Sequence, residues 1–155
     1  MNLQINIKTN FKHHDSEIPQ HAHEGDAGVD LRADTSGPVW IHPGETIRIP
    51  TGIYIALPQA GEEDPAMWEM QIRSRSGWAS RGIIVANSPG TIDSSYRGEI
   101  QVILANIGSD PCQILPGDRV AQAVVSLVAK FDWNLVDDLD DTSRNTKGLG
   151  STGVT

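Results

Sequence analysis

Apolar and polar residues alternate with a period of two through most of this chain, the pattern of strands that bury one face. Leu3, Ile5 and Ile7 form one such set, Val39 and Ile41 a second, Ile47 and Ile49 a third, and Ile53, Ile55 and Leu57 a fourth. Trp68, Met70 and Ile72 continue the series, as do Ile100, Val102 and Leu104. The run from Val120 to Val128 is almost continuously apolar and predicts a strand buried on both faces. Turn signals separate these runs at Gly37-Pro38, Pro43-Gly44, Pro50-Thr51-Gly52, Ser88-Pro89-Gly90 and Pro116-Gly117. Short strands punctuated at this rate predict an all-β sandwich or barrel. Only Ser76 to Arg81 is suited to a helical turn or two.

Composition narrows the function classes. A chain of 155 residues suits one domain and can bury an adequate core without a disulfide or metal staple. Twenty acids against twelve bases give a net charge of −8, which argues against a protein built to grip a nucleic-acid backbone. One cysteine, Cys112, leaves no intramolecular disulfide and no paired-cysteine metal site. It follows Pro111 near a turn and reads as a small core residue, not a nucleophile. No apolar run approaches the ~20 residues of a membrane-spanning helix. Met1 to Lys12 alternates where a signal peptide would be uniformly apolar. The expectation is a soluble cytoplasmic domain, or for a viral protein one of the host cytoplasm or nucleus, with no nucleic-acid or membrane partner.

From residue 132 the character changes. Asp132, Asp137, Asp138, Asp140 and Asp141 precede a glycine-rich end, GLGSTGVT. A barrel over 1–131 and an acidic linker with a flexible tail over 132–155 are expected.

Seven of the eight arginines lie in short segments rich in Gly, Ser and Asp: AGVDLRA at 27–33, RSRSGWASRG at 73–82, NSPGTIDSSYRGEI at 87–100, GDRVAQ at 117–122 and RNTKGLGSTG at 144–153. An acidic protein that gathers guanidinium groups beside Gly and Ser is suited to an anion site, since Arg offers two-point donors to phosphate and Gly admits backbone N–H groups. Some of these arginines also have acids next to them to pair with, such as Asp30 beside Arg32. GLGSTG matches a dinucleotide fingerprint, but no helix can follow it. His13-His14 and His21-Ala22-His23 lack a second ligand cluster and read as surface histidines.

Taken in order, these five segments resemble the motifs of the trimeric deoxyuridine triphosphatase (dUTP diphosphatase) family. The resemblance implies a jelly-roll-type β-barrel and a homotrimer with active sites at subunit interfaces. It implies Mg²⁺-assisted in-line hydrolysis of dUTP to dUMP and pyrophosphate, which limits uracil incorporation into DNA and supplies dUMP for dTTP synthesis. Asp93 matches the water-activating carboxylate, and Asp30 the residue that holds Mg²⁺ through water, as suits an ion that keeps its hydration shell. Arg75, Ser76, Gly77 and Gln122 match phosphate contacts. Asn87 matches the uracil-reading position, with backbone groups of Gly90, Thr91 and Ile92 in a β-hairpin, and Tyr96 the ring under the deoxyribose. Arg144 matches a γ-phosphate clamp, and Leu149, Gly150 and Ser151 the tail that closes over the site. The tail departs from the family pattern: Leu149 stands where an aromatic is common, and Asn145 and Lys147 where glycines are. Two alternatives stand beside this reading, one that shares the fold and one from another class. A dCTP deaminase, alone or bifunctional, would need a catalytic glutamate where this chain has Ile103. A non-catalytic nucleotide-sensing module would need none of the intact Asp30, Ser76, Asp93 and Arg144.

Overall fold

The computed structural model describes residues 3–13, 18–59 and 67–146. Along these residues run β1 (Asn6–Thr9), β2 (Gly28–Arg32), β3 (Val39–Ile41), β4 (Thr46–Pro50), β5 (Ile53–Ala56) and β6 (Met67–Arg73). A short helix α1 (Ser76–Ala79) follows, then β7 (Ile83–Val85), β8 (Gly90–Asp93), β9 (Gln101–Asn106), β10 (Cys112–Ile114) and β11 (Arg119–Val128). The strands pair antiparallel in four sheets, ordered β2-β11-β6-β8, β4-β9-β7, β1-β5 and β10-β3. The fold is the expected all-β, jelly-roll-type barrel.

Its interior is built from branched aliphatics. Ile41, Ile49, Ile100, Val102, Leu104, Ile114 and Val120 from five segments meet with almost no solvent exposure. β-Branched side chains pack well on a pleated face, and each buried one contributes roughly 1.5–3 kcal/mol. No aromatic ring is among the buried core residues described. Two Pro-Gly turns of one design help close the barrel. In each, Gly44 or Gly117 takes a positive φ of 82°, and the following acid, Glu45 or Asp118, accepts the N–H of His42 or Leu115.

Two features depart from the sequence reading. β2, β7, β8 and β10 are strands although their segments carry one to three apolar residues each. The double burial expected for β11 holds only in its first half. A register shift between Arg119 and Ala121 lets Val120 and Ala121 both face inward, whereas Leu127 is 59% exposed.

Buried polar groups are tied to backbone. The Asn106 amide, wholly buried, donates to the carbonyls of Ile41 and Asp110 at 2.8 Å each, and its oxygen accepts the Gly108 N–H at 2.9 Å. Asp34, also buried, accepts the N–H groups of Lys12 and His13 and so pins the N-terminal segment to the barrel. Asn106→Ala leaves three backbone groups without a partner. At 1–3 kcal/mol for each buried group left unsatisfied, we expect a loss of about 3 kcal/mol in urea unfolding. A loss below about 1 kcal/mol would contradict this account of the turn.

Candidate active site

The position of β11 between β2 and β6 decides which polar side chains share a face. Gln122 stands opposite Asp30 of β2 on one side and opposite Arg73 of β6 on the other. Directly opposed residues of antiparallel strands project to the same face, so a carboxylate, an amide and a guanidinium form one row. β6 ends at Arg73, and the chain turns through Arg75, the N-cap of α1. Arg75 Nε donates to Asp30 Oδ1 at 2.7 Å, and Arg119 Nη1 lies 3.5 Å from Asp30 Oδ2. Beside the β11 bulge, the Arg119 carbonyl accepts Arg75 Nη1 at 3.1 Å and the Trp78 indole N–H at 2.8 Å. Strand pairing, helix start and bulge thus meet at one carboxylate. The pair is partly open to solvent, so it contributes roughly 0.2–1 kcal/mol, enough to order the groups and little enough to be exchanged. Ser76 and Gly77 open α1 directly after Arg75.

A second group of predicted residues lies along β8. Asn87 occupies the bend at 86–89 that leads into it, with its amide close to Gly90. This bend is not the hairpin expected from sequence: β7 pairs with β9 and β8 with β6, so the chain crosses from one sheet to another there. Thr91 and Asp93 are exposed, whereas the Ile92 side chain packs against the core. After Asp93 the chain folds back, with the Tyr96 hydroxyl donating to the Glu99 carbonyl at 3.0 Å. A side chain at Gly98 would collide with the Tyr96 ring. The Glu99 carboxylate accepts the N–H groups of Thr51 and Gly52, which anchors this turn to the barrel.

The two groups are separated. Asp93 stands opposite Glu69, four residues along β6 from Arg73. That offset is roughly 13 Å along the strand, and the three strand spacings from β2 to β8 add about 14 Å across the sheet. Asp30 and Asp93 of one chain are therefore roughly 19 Å apart. Between their rows a polar ladder runs along β6, with Arg73 donating to Gln71 at 3.1 and 2.6 Å and Gln71 donating to Glu69.

Arg144 lies in an exposed segment that follows β11, while Leu149, Gly150 and Ser151 fall outside the described residues. Across 130–146 every residue is exposed, including Phe131 (68%), Trp133 (90%), Leu135 (97%) and Leu139 (87%). Among the described residues no three His, Cys, Asp or Glu side chains converge as a metal cage. The single partly exposed carboxylate of Asp30 fits a hard ion that keeps its waters and takes its remaining oxygens from phosphates. Burial pushes the Cys112 thiol up, with Arg81 opposing and Asp118 adding to the shift, so it stays protonated at neutral pH. Ile103 is on β9, in a different sheet from Asp93. Sequence reasoning grouped Arg119 with the other arginines but assigned it no role. The acid next to it in sequence is Asp118, and only the fold brings Asp30 and Trp78 to it.

The dUTPase family model matches residues 14–153. The chain is 47% identical over 140 residues to a deoxyuridine 5'-triphosphate nucleotidohydrolase of Orientia tsutsugamushi, covering 90% of each. It is 43% identical over 155 residues to the protein of that name from Caldanaerobacter subterraneus, covering 99% of this chain and all of that one. Among solved structures it resembles the Staphylococcus bacteriophage 80alpha dUTPase with dUpNHpp, at a TM-score of 0.82 and 21% identity over 97% of this chain and 99% of that one. A mutant dUTPase of phage phi11 of S. aureus, described with a structural Mg(II) ion, matches at a TM-score of 0.73 and 19% identity, covering 89% and 99%.

Proposed function

The chain belongs to the dUTPase family, and from that premise we propose that it hydrolyses dUTP to dUMP and pyrophosphate in a homotrimer whose active sites each draw on more than one copy. One observation carries the second half. A base must stand within ~3 Å of the water it activates. Asp93 is roughly 19 Å from Asp30 of its own chain, and a triphosphate covers only a fraction of that distance. The orientation of β8 adds to this. A nucleoside lying from Asn87 toward Asp93 puts its base near the Arg73 end of β6 and its phosphates near Glu69, away from its own Arg75. A phosphate-binding row from a neighbouring copy completes the site. The arm after β11, with its exposed aromatic and aliphatic side chains, supports the same reading, since a surface of that kind needs cover from another copy.

In this reading the Asp93 carboxylate takes the proton of the water that attacks the α-phosphorus in line. Arg75, Ser76, Gly77 and Gln122 of the neighbouring copy hold the phosphates, with Ser76 beside the leaving oxygen. Mg²⁺ supplies positive charge to the phosphate oxygens when bound, and Asp30 orients its water shell. The Asn87 amide, with the backbone of Gly90, Thr91 and Ile92, reads the uracil edge, where a mismatched base leaves buried groups unpaired. The Tyr96 ring supports the deoxyribose, its hydroxyl already committed to Glu99. Residues 132–155 form the linker and tail, in which Arg144 engages the γ-phosphate and Leu149, Gly150 and Ser151 cover the nucleotide.

Asp93→Asn is expected to lower kcat on dUTP by roughly 10²–10⁴-fold while dUpNHpp affinity stays within a few-fold. Undiminished turnover would overturn the assignment of the base. Ending the chain at Ser143 is expected to abolish most turnover, and full activity in that truncation would remove the tail from the site.

A further inference from the structure

Arg75 and Asp30 are paired in the structure, Nε to Oδ1. In the function proposed above, on which this inference rests, Arg75 serves phosphate and Asp30 serves hydrated Mg²⁺. The guanidinium therefore stands where the cation's shell would be, and the carboxylate stands where phosphate would be. We infer that this ion pair is an internal gate that makes metal and triphosphate enter together, and that Arg119 is the positioning residue that makes the exchange reversible.

The geometry around Arg119 supports that role. The two oxygens of Asp30 are divided between two arginines: Oδ1 to Arg75 Nε at 2.7 Å, Oδ2 to Arg119 Nη1 at 3.5 Å. When Arg75 turns to phosphate, Oδ1 is released to the metal's water shell while Arg119 still holds the carboxylate at Oδ2. Arg75 is itself tethered, because its Nη1 donates to the Arg119 carbonyl at 3.1 Å. It can swing about that bond without leaving the site. The same carbonyl accepts the Trp78 indole N–H, which fixes α1 and hence the backbone of Ser76 and Gly77. One residue thus steadies both halves of the exchange. Either ligand alone must break the pair and leave one member uncompensated, whereas the two together satisfy both. The coupling is reciprocal: the factor by which nucleotide tightens metal is the factor by which metal tightens nucleotide.

Mn²⁺ is a suitable probe, because its free and bound forms are distinguished by electron paramagnetic resonance without turnover. In nucleotide-free protein, Arg75→Met is expected to tighten Mn²⁺ roughly tenfold, within the ordinary range of coupling between sites. Arg73→Met is the control: it removes the same charge nearby, from a side chain bonded to Gln71 and not to Asp30. Equal tightening in both variants would show diffuse charge and overturn the gate, as would no tightening in Arg75→Met. Arg75→Lys keeps the charge but replaces the fork with one nitrogen, and is expected to move in the same direction by less, so the test does not hang on one variant folding. With dUpNHpp bound, Arg119→Met is expected to weaken Mn²⁺ about fivefold and Arg119→Lys to restore most of it; an unchanged value in Arg119→Met removes Arg119 from the proposal. Wild-type dUTP hydrolysis, assayed alongside, keeps the outcomes apart. Its absence defeats the proposed function, and its presence with unaltered Mn²⁺ binding in Arg75→Met defeats the gate alone.

Discussion

The register of β11 between its two neighbours governs the chemistry available to this chain. Pairing Gln122 with Asp30 on one side and Arg73 on the other sets one row of carboxylate, amide and guanidinium. The bulge after Arg119 gives that residue a carbonyl aimed at Arg75 and Trp78 and a guanidinium that reaches Asp30. A slip of one residue in β11 would turn Gln122 toward the core and Ala123 toward solvent, and the row would vanish. Burial of Val120, Ala121 and Ala123 opposes that slip, so the packing of the barrel and the placement of the polar row rest on the same alternation.

The same register separates the chemistry. β6 ends at Arg73 and carries Glu69 four residues earlier, and β8 pairs along Glu69 to Ile72 with Asp93 opposite Glu69. The chain therefore holds the Asp30–Gln122–Arg73 row and the Asp93 carboxylate on one face without bringing them together. In the proposed function, a site divided in this manner makes assembly a condition of activity. The same proposal accounts for the exposed Phe131, Trp133 and Leu135 of the arm that follows β11.

Much of this was legible in the sequence. Strict alternation in Ile47–Ile49, Ile53–Leu57 and Ile100–Leu104 foretold β4, β5 and β9, because one face of each strand is core and nothing else competes. Two of the strands that alternation did not foretell, β2 and β8, carry candidate site residues. In GVDLR and GTID the outward positions are given to Asp30, Thr91 and Asp93, and their strand character comes from partners far along the chain. The candidate residues themselves stood out as motifs, yet their division into two distant groups did not, since spacing in sequence carries no register. Arg119 was visible only as one arginine among eight. Its role depends on a bulge that no local pattern announces.

The divided site is tested most directly by mixing two inactive chains, Asp93→Asn and Arg75→Ala, after separate purification, unfolding and joint refolding. If Asp93 and Arg75 of a working site come from different copies, mixed assemblies contain sites in which both are intact. About a quarter of wild-type dUTP hydrolysis should then return at equal proportions of the two chains. If both residues serve from one chain, every site retains one defect, and activity no higher than the sum of the two variants alone would contradict the account.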